Sequence, residues 1–185
     1  MKIVLASLSP RRRELLSTLV PQFEVIGARG EEDAEGRTPA ETAMLRAEQK
    51  AKEVKSRVGN GSVVIGSDTI VVLEGHILGK PKEEEDAKRM LRALSGKTHS
   101  VITGVSFLGE RVRRLVYEET KVRFFPLTEE LIERYVATGS PFDKAGAYGI
   151  QDGFPLVEGY DGSYDNVVGF PTETLKSLLK EEGVL

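Results

Sequence analysis

Between Val63 and Leu73 the chain reads VVIGSDTIVVL, with the carboxylate of Asp68 in the middle of the run. An apolar stretch of this kind belongs in the core of a sheet, where an isolated ionised carboxylate is costly unless something pairs with it. A fold for this chain therefore has to bring a cation, a cluster of donors or an open cleft to the middle of one strand. A tight turn at Gly66 and Ser67 is the plainer alternative, weakened by the strand-like residues on both sides. Beside a phosphate site, a carboxylate projecting from a sheet can bind Mg²⁺ or take a proton from attacking water.

The opening of the chain, KIVLASLSPRRRELLSTL, sets a second electrostatic constraint. KIVLA reads as a short apolar strand. Ser9 and Pro10 read as an N-cap and a first-turn proline, which starts a helix running to about Leu19 with Leu15, Leu16 and Leu19 as its buried stripe. Arg11, Arg12 and Arg13 then fill the first turn, where the positive end of the helix dipole and unpaired N–H groups favour an anion and disfavour cations. The hydroxyls of Ser7 and Ser9, the outward N–H groups and the arginine forks are all donors, so a phosphate bound at this turn removes the conflict. Arg12, three and four residues before Leu15 and Leu16, falls on the inward edge of the helix. A basic triplet alone usually fans into water; the strand, cap and hydroxyls around this one favour the anion.

The rest of the chain alternates strand-like and helical stretches, with no low-complexity linker or internal repeat. FEVIG is a strand, and the acidic, glycine-bearing residues 28–37 are a loop before a long helix capped near Thr38 and Pro39. In that helix Met44, Ala47, Ala51, Val54 and Val58 recur at helical spacing and mark the buried face. A hairpin turns at Glu74 and Gly75. A helix with Ala87, Met90, Leu91 and Leu94 inward stops at Gly96. HSVITGVSFLG and RRLVYEETKVRFF are two long strands that pair across Glu110. Leu131, Ile132, Tyr135 and Val136 mark another helix, and Leu175, Leu178 and Leu179 the last. The stretch 138–169, rich in Gly, Asp and Tyr, reads as short strands joined by shaped loops. The expectation is a single α/β domain over residues 1–185, built on a mixed sheet.

Composition closes several function classes. At 185 residues, 39% hydrophobic and 30% charged, the chain is an ordinary globule. Apolar runs such as IVVL at 70–73 fall far short of a bilayer span, and residues 2–8 lack the length and pattern of a signal peptide. No membrane partner and a cytoplasmic location are expected. The absence of cysteine removes disulfides, thiolate metal sites and cysteine nucleophiles. A net charge of −3 speaks against a general nucleic-acid binder.

Two lysines and an acidic loop complete the inventory. Lys50 lies at the border of the long helix's buried stripe, where it can reach along the protein and present a point charge. Lys80, in LGKP, is held extended by the proline after it. Taken in isolation, each is more readily a solvated lysine. Glu31, Glu32 and Asp33 are possible metal ligands in a loop that would otherwise simply be solvated. His76 and His99 lack ligand spacing.

With these residues in view, LASLSPRRRELL, AEQKAKEV, VIGSDTIV, LGKP, MLRALSGKTHSVITGV, DKAGAYGIQ and VVGFP together resemble the Maf proteins, nucleoside triphosphate pyrophosphatases once described as septum formation inhibitors. The seven segments occur in order over essentially the whole chain. The resemblance implies a fold related to the inosine triphosphate pyrophosphatases: a long mixed sheet surrounded by helices, with a cleft between two lobes. It implies cleavage between the α and β phosphates, giving a nucleoside monophosphate and pyrophosphate, with a divalent cation, Mg²⁺ or Mn²⁺. Carried over residue by residue, Ser7, Ser9, Arg12, Lys50 and Lys80 hold the triphosphate. Glu32 and Asp68 serve the metal, Asp68 is the proton acceptor, and Asp143 and Lys144 border the same cleft. Glu31 and Glu32 alternate as the main acidic-loop ligand. A homodimer is also implied.

Within the family the resemblance is to members acting on dTTP and UTP, through Arg12, Thr69 and Gln151. A glutamine amide can accept from the pyrimidine N3–H while donating to O4, although turned around it also serves cytosine. Asp152 and Asp161 depart from the family in a loop region that varies. Two other readings compete: a purine-directed pyrophosphatase that removes non-standard nucleotides, against which Thr69 and Gln151 argue, and a non-catalytic nucleotide sensor contacting division proteins, which has no need of Asp68 beside the phosphates.

Overall fold

The computed structural model describes residues 2–30 and 32–185. In chain order the elements are β1 (Lys2–Leu5), α1 (Pro10–Ser17), β2 (Glu24–Val25), α2 (Pro39–Val58), β3 (Ser62–Leu73), β4 (His76–Leu78), α3 (Glu84–Leu94), β5 (Thr98–Leu108), β6 (Arg113–Phe124), α4 (Glu129–Val136), β7 (Val157–Asp161), α5 (Tyr164–Val168) and α6 (Thr172–Glu181). The strands form a seven-stranded sheet in the order β2-β1-β3-β5-β6-β7, with β4 paired to β3. The sheet is mixed, as expected: β1 runs parallel to β2 and β3, whereas β3–β4 and β6–β7 are antiparallel.

The chain divides into two compact units. The first takes the residues up to Thr69, Thr103–Glu118 and Gly169–Leu185; the second takes Ile70–Ile102 and Glu119–Val168. In the first unit the period of two along each strand feeds two separate cores. Ile3 and Leu5 of β1, Val63 and Ile65 of β3, and Val105 and Phe107 of β5 pack with Leu16, Phe170, Leu175 and Leu179. The alternate residues, Val4, Ala6 and Val64, pack with Ala51 and Val54 of α2. This two-sided burial explains why these strands read as unbroken apolar runs.

Helix α2 sits close to the sheet. A Cβ on Gly66 would lie 2.1 Å from the Ala47 carbonyl oxygen, and one on Gly104 would lie 2.4 Å from that of Ala43, so both strand positions require glycine. The approach also turns the helix relative to the expected stripe. Ala47, Ala51 and Val54 are buried, but Met44 and Val58 are only half-buried, and Thr42, Ala43 and Glu48 are buried in addition. The Glu48 carboxylate is satisfied by Arg113 and by Lys52 at 3.1 Å.

In the second unit Ala87, Leu91 and Leu94 of α3, Ile132, Tyr135 and Val136 of α4, and Val122 and Phe124 of β6 share one core. The stretch 138–169 differs from expectation. It holds one strand, β7, two 3₁₀ turns at Ser140–Asp143 and Ala145–Ala147, and the short helix α5. Gly146 and Ala147 both have positive φ (69° and 63°), which interrupts a regular strand. No helix among the described residues is long and apolar enough to cross a membrane.

His99 is sealed in this second core at 2% exposure. Its Nε2 meets Tyr148 Oη at 2.7 Å, it stacks edge-on against Phe124 and Tyr148, and its Nδ1 has no hydrogen-bond partner among the described residues. Burial pushes its pKa from 6.5 down to about 4. The folded state therefore refuses a proton that the unfolded chain accepts, and stability falls as the pH drops from about 6.5 to about 4, by ~3 kcal/mol in total. Urea unfolding of the wild type and of His99→Gln across pH 7.5 to 4.5 should give a shallower acid loss in the variant; parallel curves would exclude His99 as the cause.

Candidate functional site

The turn from β1 into α1 is built as its sequence required. Ser9 is the N-cap, its Oγ accepting weakly from the Arg12 backbone N–H at 3.5 Å, and Pro10 opens the helix. Ser7 Oγ accepts from the Ser9 N–H at 3.2 Å and from Arg12 Nη1 at 3.4 Å, which leaves each hydroxyl able to donate. Arg12 turns inward. Its Nε donates to the Gly169 carbonyl at 2.9 Å and its Nη2 to Thr69 Oγ1 at 3.1 Å. With the Ser7 contact, three of the five guanidinium N–H groups fix the fork in place, and the rest can serve a ligand. Burial lowers the Arg12 pKa, and the charges of Asp68 and Glu32 act in the opposite direction; a guanidinium remains cationic throughout.

The cation demanded by Asp68 is Lys50. Asp68 is 5% exposed, and its Oδ1 accepts from Lys50 Nζ at 2.7 Å. The same ammonium lies 3.0 Å from Glu32 Oε2 and 3.4 Å from the Ser67 carbonyl, so all three of its donors are directed at protein oxygens. Lys50 thus gathers two carboxylates that are distant in sequence. Glu31, the other candidate in the acidic loop, lies outside the described residues. Asp33 Oδ1 accepts from Gln49 at 2.7 Å.

Glu32 and Asp68 suit a divalent cation. Two carboxylates facing one ammonium nitrogen can face one cation, and Mg²⁺ is commonly held by one or two carboxylates plus substrate phosphates. The described residues hold no group of three or more His, Cys, Asp or Glu side chains suited to a metal, so the pair fits a cation that shares its ligands with substrate better than a caged structural ion.

The second unit holds the remaining candidates. Lys80 and Gln151 are exposed. The Gly146 N–H donates to the Gly79 carbonyl at 3.0 Å, which sets LGKP beside DKAGAYGIQ. Lys144 Nζ is bound by the Ser140 carbonyl at 2.6 Å, Ser140 Oγ at 2.9 Å and Asp143 Oδ1 at 3.0 Å. Asp143 is accordingly a surface partner of Lys144, its side chain 60% exposed.

Sequence reasoning passed over three groups in the first unit. The Gly169 carbonyl receives Arg12 Nε, Ser67 Oγ at 3.4 Å and Thr69 Oγ1 at 3.4 Å, and Thr69 Oγ1 also meets Thr103 Oγ1 at 3.0 Å. The signal for Gly169 is its place in VVGFP; Ser67 enters the sequence reading only through the Gly66–Ser67 turn, and Thr103 only within the strand HSVITGVSFLG.

The Maf-like protein family model matches residues 2–182. The chain belongs to the Maf family. It is 49% identical over 177 residues to a protein of Thermococcus gammatolerans named dTTP/UTP pyrophosphatase, covering 95% of this chain and 94% of that one. It is 46% identical over 201 residues to a protein of the same name from Agathobacter rectalis, covering 99% and 98%. Among solved structures, Ham1 proteins share the fold: one from Staphylococcus aureus superposes with a TM-score of 0.56 at 18% identity over 98% of this chain and 100% of that one, and one from Coxiella burnetii at 0.53 with 16% identity over 98% and 99%. The Maf fold of this chain is thus the mixed-sheet α/β architecture its sequence implied.

Removing Lys50 tests the buried pair. Lys50→Met strands Asp68 beside Glu32 without a cation, and should cost ~3 kcal/mol in chemical denaturation. Adding Asp68→Asn should restore part of that loss. Additive losses in the double variant would show that Lys50 and Asp68 do not support one another.

Proposed function

We propose that this Maf protein hydrolyses dTTP and UTP to the nucleoside monophosphate and pyrophosphate. The observation that carries the reading is the juxtaposition, in one compact unit, of anion donors at the β1–α1 turn (Ser7, Ser9, Arg12) with a buried carboxylate, Asp68, held by Lys50 next to Glu32. The names of its relatives agree with it.

The chemistry follows from the kinds of group present. Phosphoryl transfer needs little covalent chemistry from a protein; it needs donors placed on anionic oxygens and a positioned water. Ser7, Ser9 and Arg12 grip the β and γ phosphates as a unit, with Lys50 and Lys80 adding charge. Asp68 accepts a proton from water as the water oxygen bonds to the α phosphorus. The bond from that phosphorus to the bridging oxygen breaks, and pyrophosphate leaves with the electron pair. A divalent cation, Mg²⁺ or Mn²⁺, held by Glu32 and Asp68, supplies charge neutralisation and Lewis-acid polarisation of phosphoryl oxygens. Gln151 reads the pyrimidine edge, Thr69 and Arg12 shape the same preference, and Asp143 and Lys144 border the substrate as the resemblance implies. The cytoplasmic location expected from the sequence goes with a substrate drawn from the nucleotide pool.

A nucleotide panel with Mg²⁺ or Mn²⁺ tests this. dTTP and UTP should yield dTMP and UMP with pyrophosphate, and Asp68→Asn should lower turnover on the order of a hundredfold or more in a folded protein. Orthophosphate as product would overturn the position of attack. Faster hydrolysis of inosine or guanosine triphosphate would favour the purine-directed reading, and binding without turnover under either metal would favour a sensor.

A further inference from the structure

The second unit holds a nearly buried carboxylate to which neither the resemblance nor the mechanism gives a role. The Asp152 carboxylate, on the residue after Gln151, collects two hydrogen bonds and an ion pair on a single oxygen: Oδ2 accepts from Tyr135 Oη at 2.6 Å and from Ser140 Oγ at 2.7 Å, and lies 3.6 Å from Lys144 Nζ. Its side chain is 13% exposed, and that of Lys144 10%. Tyr135 comes from the last turn of α4 and is fully buried, so the carboxylate is tied through that side chain to the core.

The contacts continue into the loop. The Gly149 N–H donates to Tyr135 Oη at 2.9 Å, and the Asp152 N–H donates to the Gly149 carbonyl at 3.1 Å. The carboxylate also packs directly on Gly149, where an added Cβ would lie 2.8 Å from Asp152 Oδ1 and 2.8 Å from Lys144 Cε. Residues 149–152 are therefore closed into a small ring of bonds anchored on α4, and Gln151 is carried on its outside, exposed.

We propose that Asp152 is a positioning residue for pyrimidine selection: by accepting from Tyr135 and Ser140 at one oxygen it fixes the course of residues 149–152, and with it the orientation in which Gln151 presents its amide. The proposal rests on the reading of Gln151 as the base contact. An amide selects thymine or uracil over cytosine only while its oxygen and nitrogen are held in one order, since a turned amide presents the complementary pattern. Asp152 supplies the restraint, with the Lys144 ammonium, itself held by Ser140 and Asp143, lying alongside at 3.6 Å. Because the base is remote from the reacting phosphorus, loosening the restraint removes binding common to ground and transition states, which raises KM and leaves kcat nearly unchanged.

Two measurements test it. Amide hydrogen exchange on the ligand-free protein should show the Gly149 and Asp152 N–H groups protected in the wild type and released about tenfold faster in Asp152→Ala. Kinetics with dTTP and dCTP should show the preference for dTTP falling about tenfold in Asp152→Ala, through KM, with no further fall when Gln151→Ala is already present. Should Asp152→Ala fail to fold, Asp152→Asn and Tyr135→Phe are read in its place, with smaller shifts in the same direction. Unchanged amide exchange overturns the proposal. So does a preference that survives the Asp152 variants while Gln151→Ala abolishes it, and that result leaves the base reading intact. A preference untouched by Gln151→Ala overturns the base reading, and the role assigned to Asp152 goes with it. If no nucleotide is hydrolysed at all, the functional reading fails, while the exchange data still decide whether Asp152 holds the loop.

Discussion

The site depends on how closely α2 lies on the sheet. Gly66 and Gly104 present bare backbone to Ala47 and Ala43, and nothing larger than hydrogen fits at either position. Two geometric periods then do the rest. Asp68 is two residues beyond Gly66 on the same strand and so projects from the same face, while Lys50 is one turn beyond Ala47 and so hangs over it. An ammonium at that distance reaches Asp68 Oδ1 at 2.7 Å and still meets Glu32. A side chain at position 66 would lift the helix and separate the charges, so the small residues of the strand and the charged residues of the site form one structural requirement.

Much of this was legible in the sequence because it is local. Ser9 and Pro10 announce the start of α1, Thr38 and Pro39 that of α2, and the arginine after the cap is placed inward by its spacing from Leu15 and Leu16. The need of Asp68 for a partner follows from a carboxylate in an apolar strand. The identity of that partner does not, since Lys50 is eighteen residues away and its pairing depends on the helix-to-sheet distance rather than on any pattern around either residue. Asp152 illustrates the same limit. In the sequence it is an acid in a variable loop; in the fold it is bound by Tyr135, seventeen residues earlier, and Ser140, twelve residues earlier. The stretch 138–169 was misread because its left-handed residues decide the backbone, and Ala147 gives no compositional sign of that conformation.

Two buried groups, one in each unit, deal with polarity in opposite ways. In the first, the charge on Asp68 is kept and compensated, with Lys50 and Glu32 completing a small ionic cluster. In the second, His99 is packed against Phe124 and Tyr148, and burial lowers its pKa to about 4, so the ring is neutral at neutral pH. Burial raises the Tyr148 pKa well above its ordinary value, so the partner of His99 is neutral as well. The first solution suits a place where charge is to be used, and the second suits packing.

The sealing of His99 has a consequence for which elements of the periodic table this surface can tell apart. Nitrogen and sulfur are the atoms by which proteins capture zinc and copper, and the sequence has no cysteine and only two histidines. One of these, His99, has its ring closed off in the core, and the other, His76, stands at the start of β4 in the second unit, whereas Glu32 and Asp68 belong to the first. What Glu32, Asp68 and their hydroxyl neighbours offer is oxygen alone. Such a set suits hard cations such as Mg²⁺ and Mn²⁺ by ligand type and relies on the oxygens of an incoming ligand to complete the shell. No thiolate is available to draw this pair toward zinc or copper, and its preference is left to oxygen ligands.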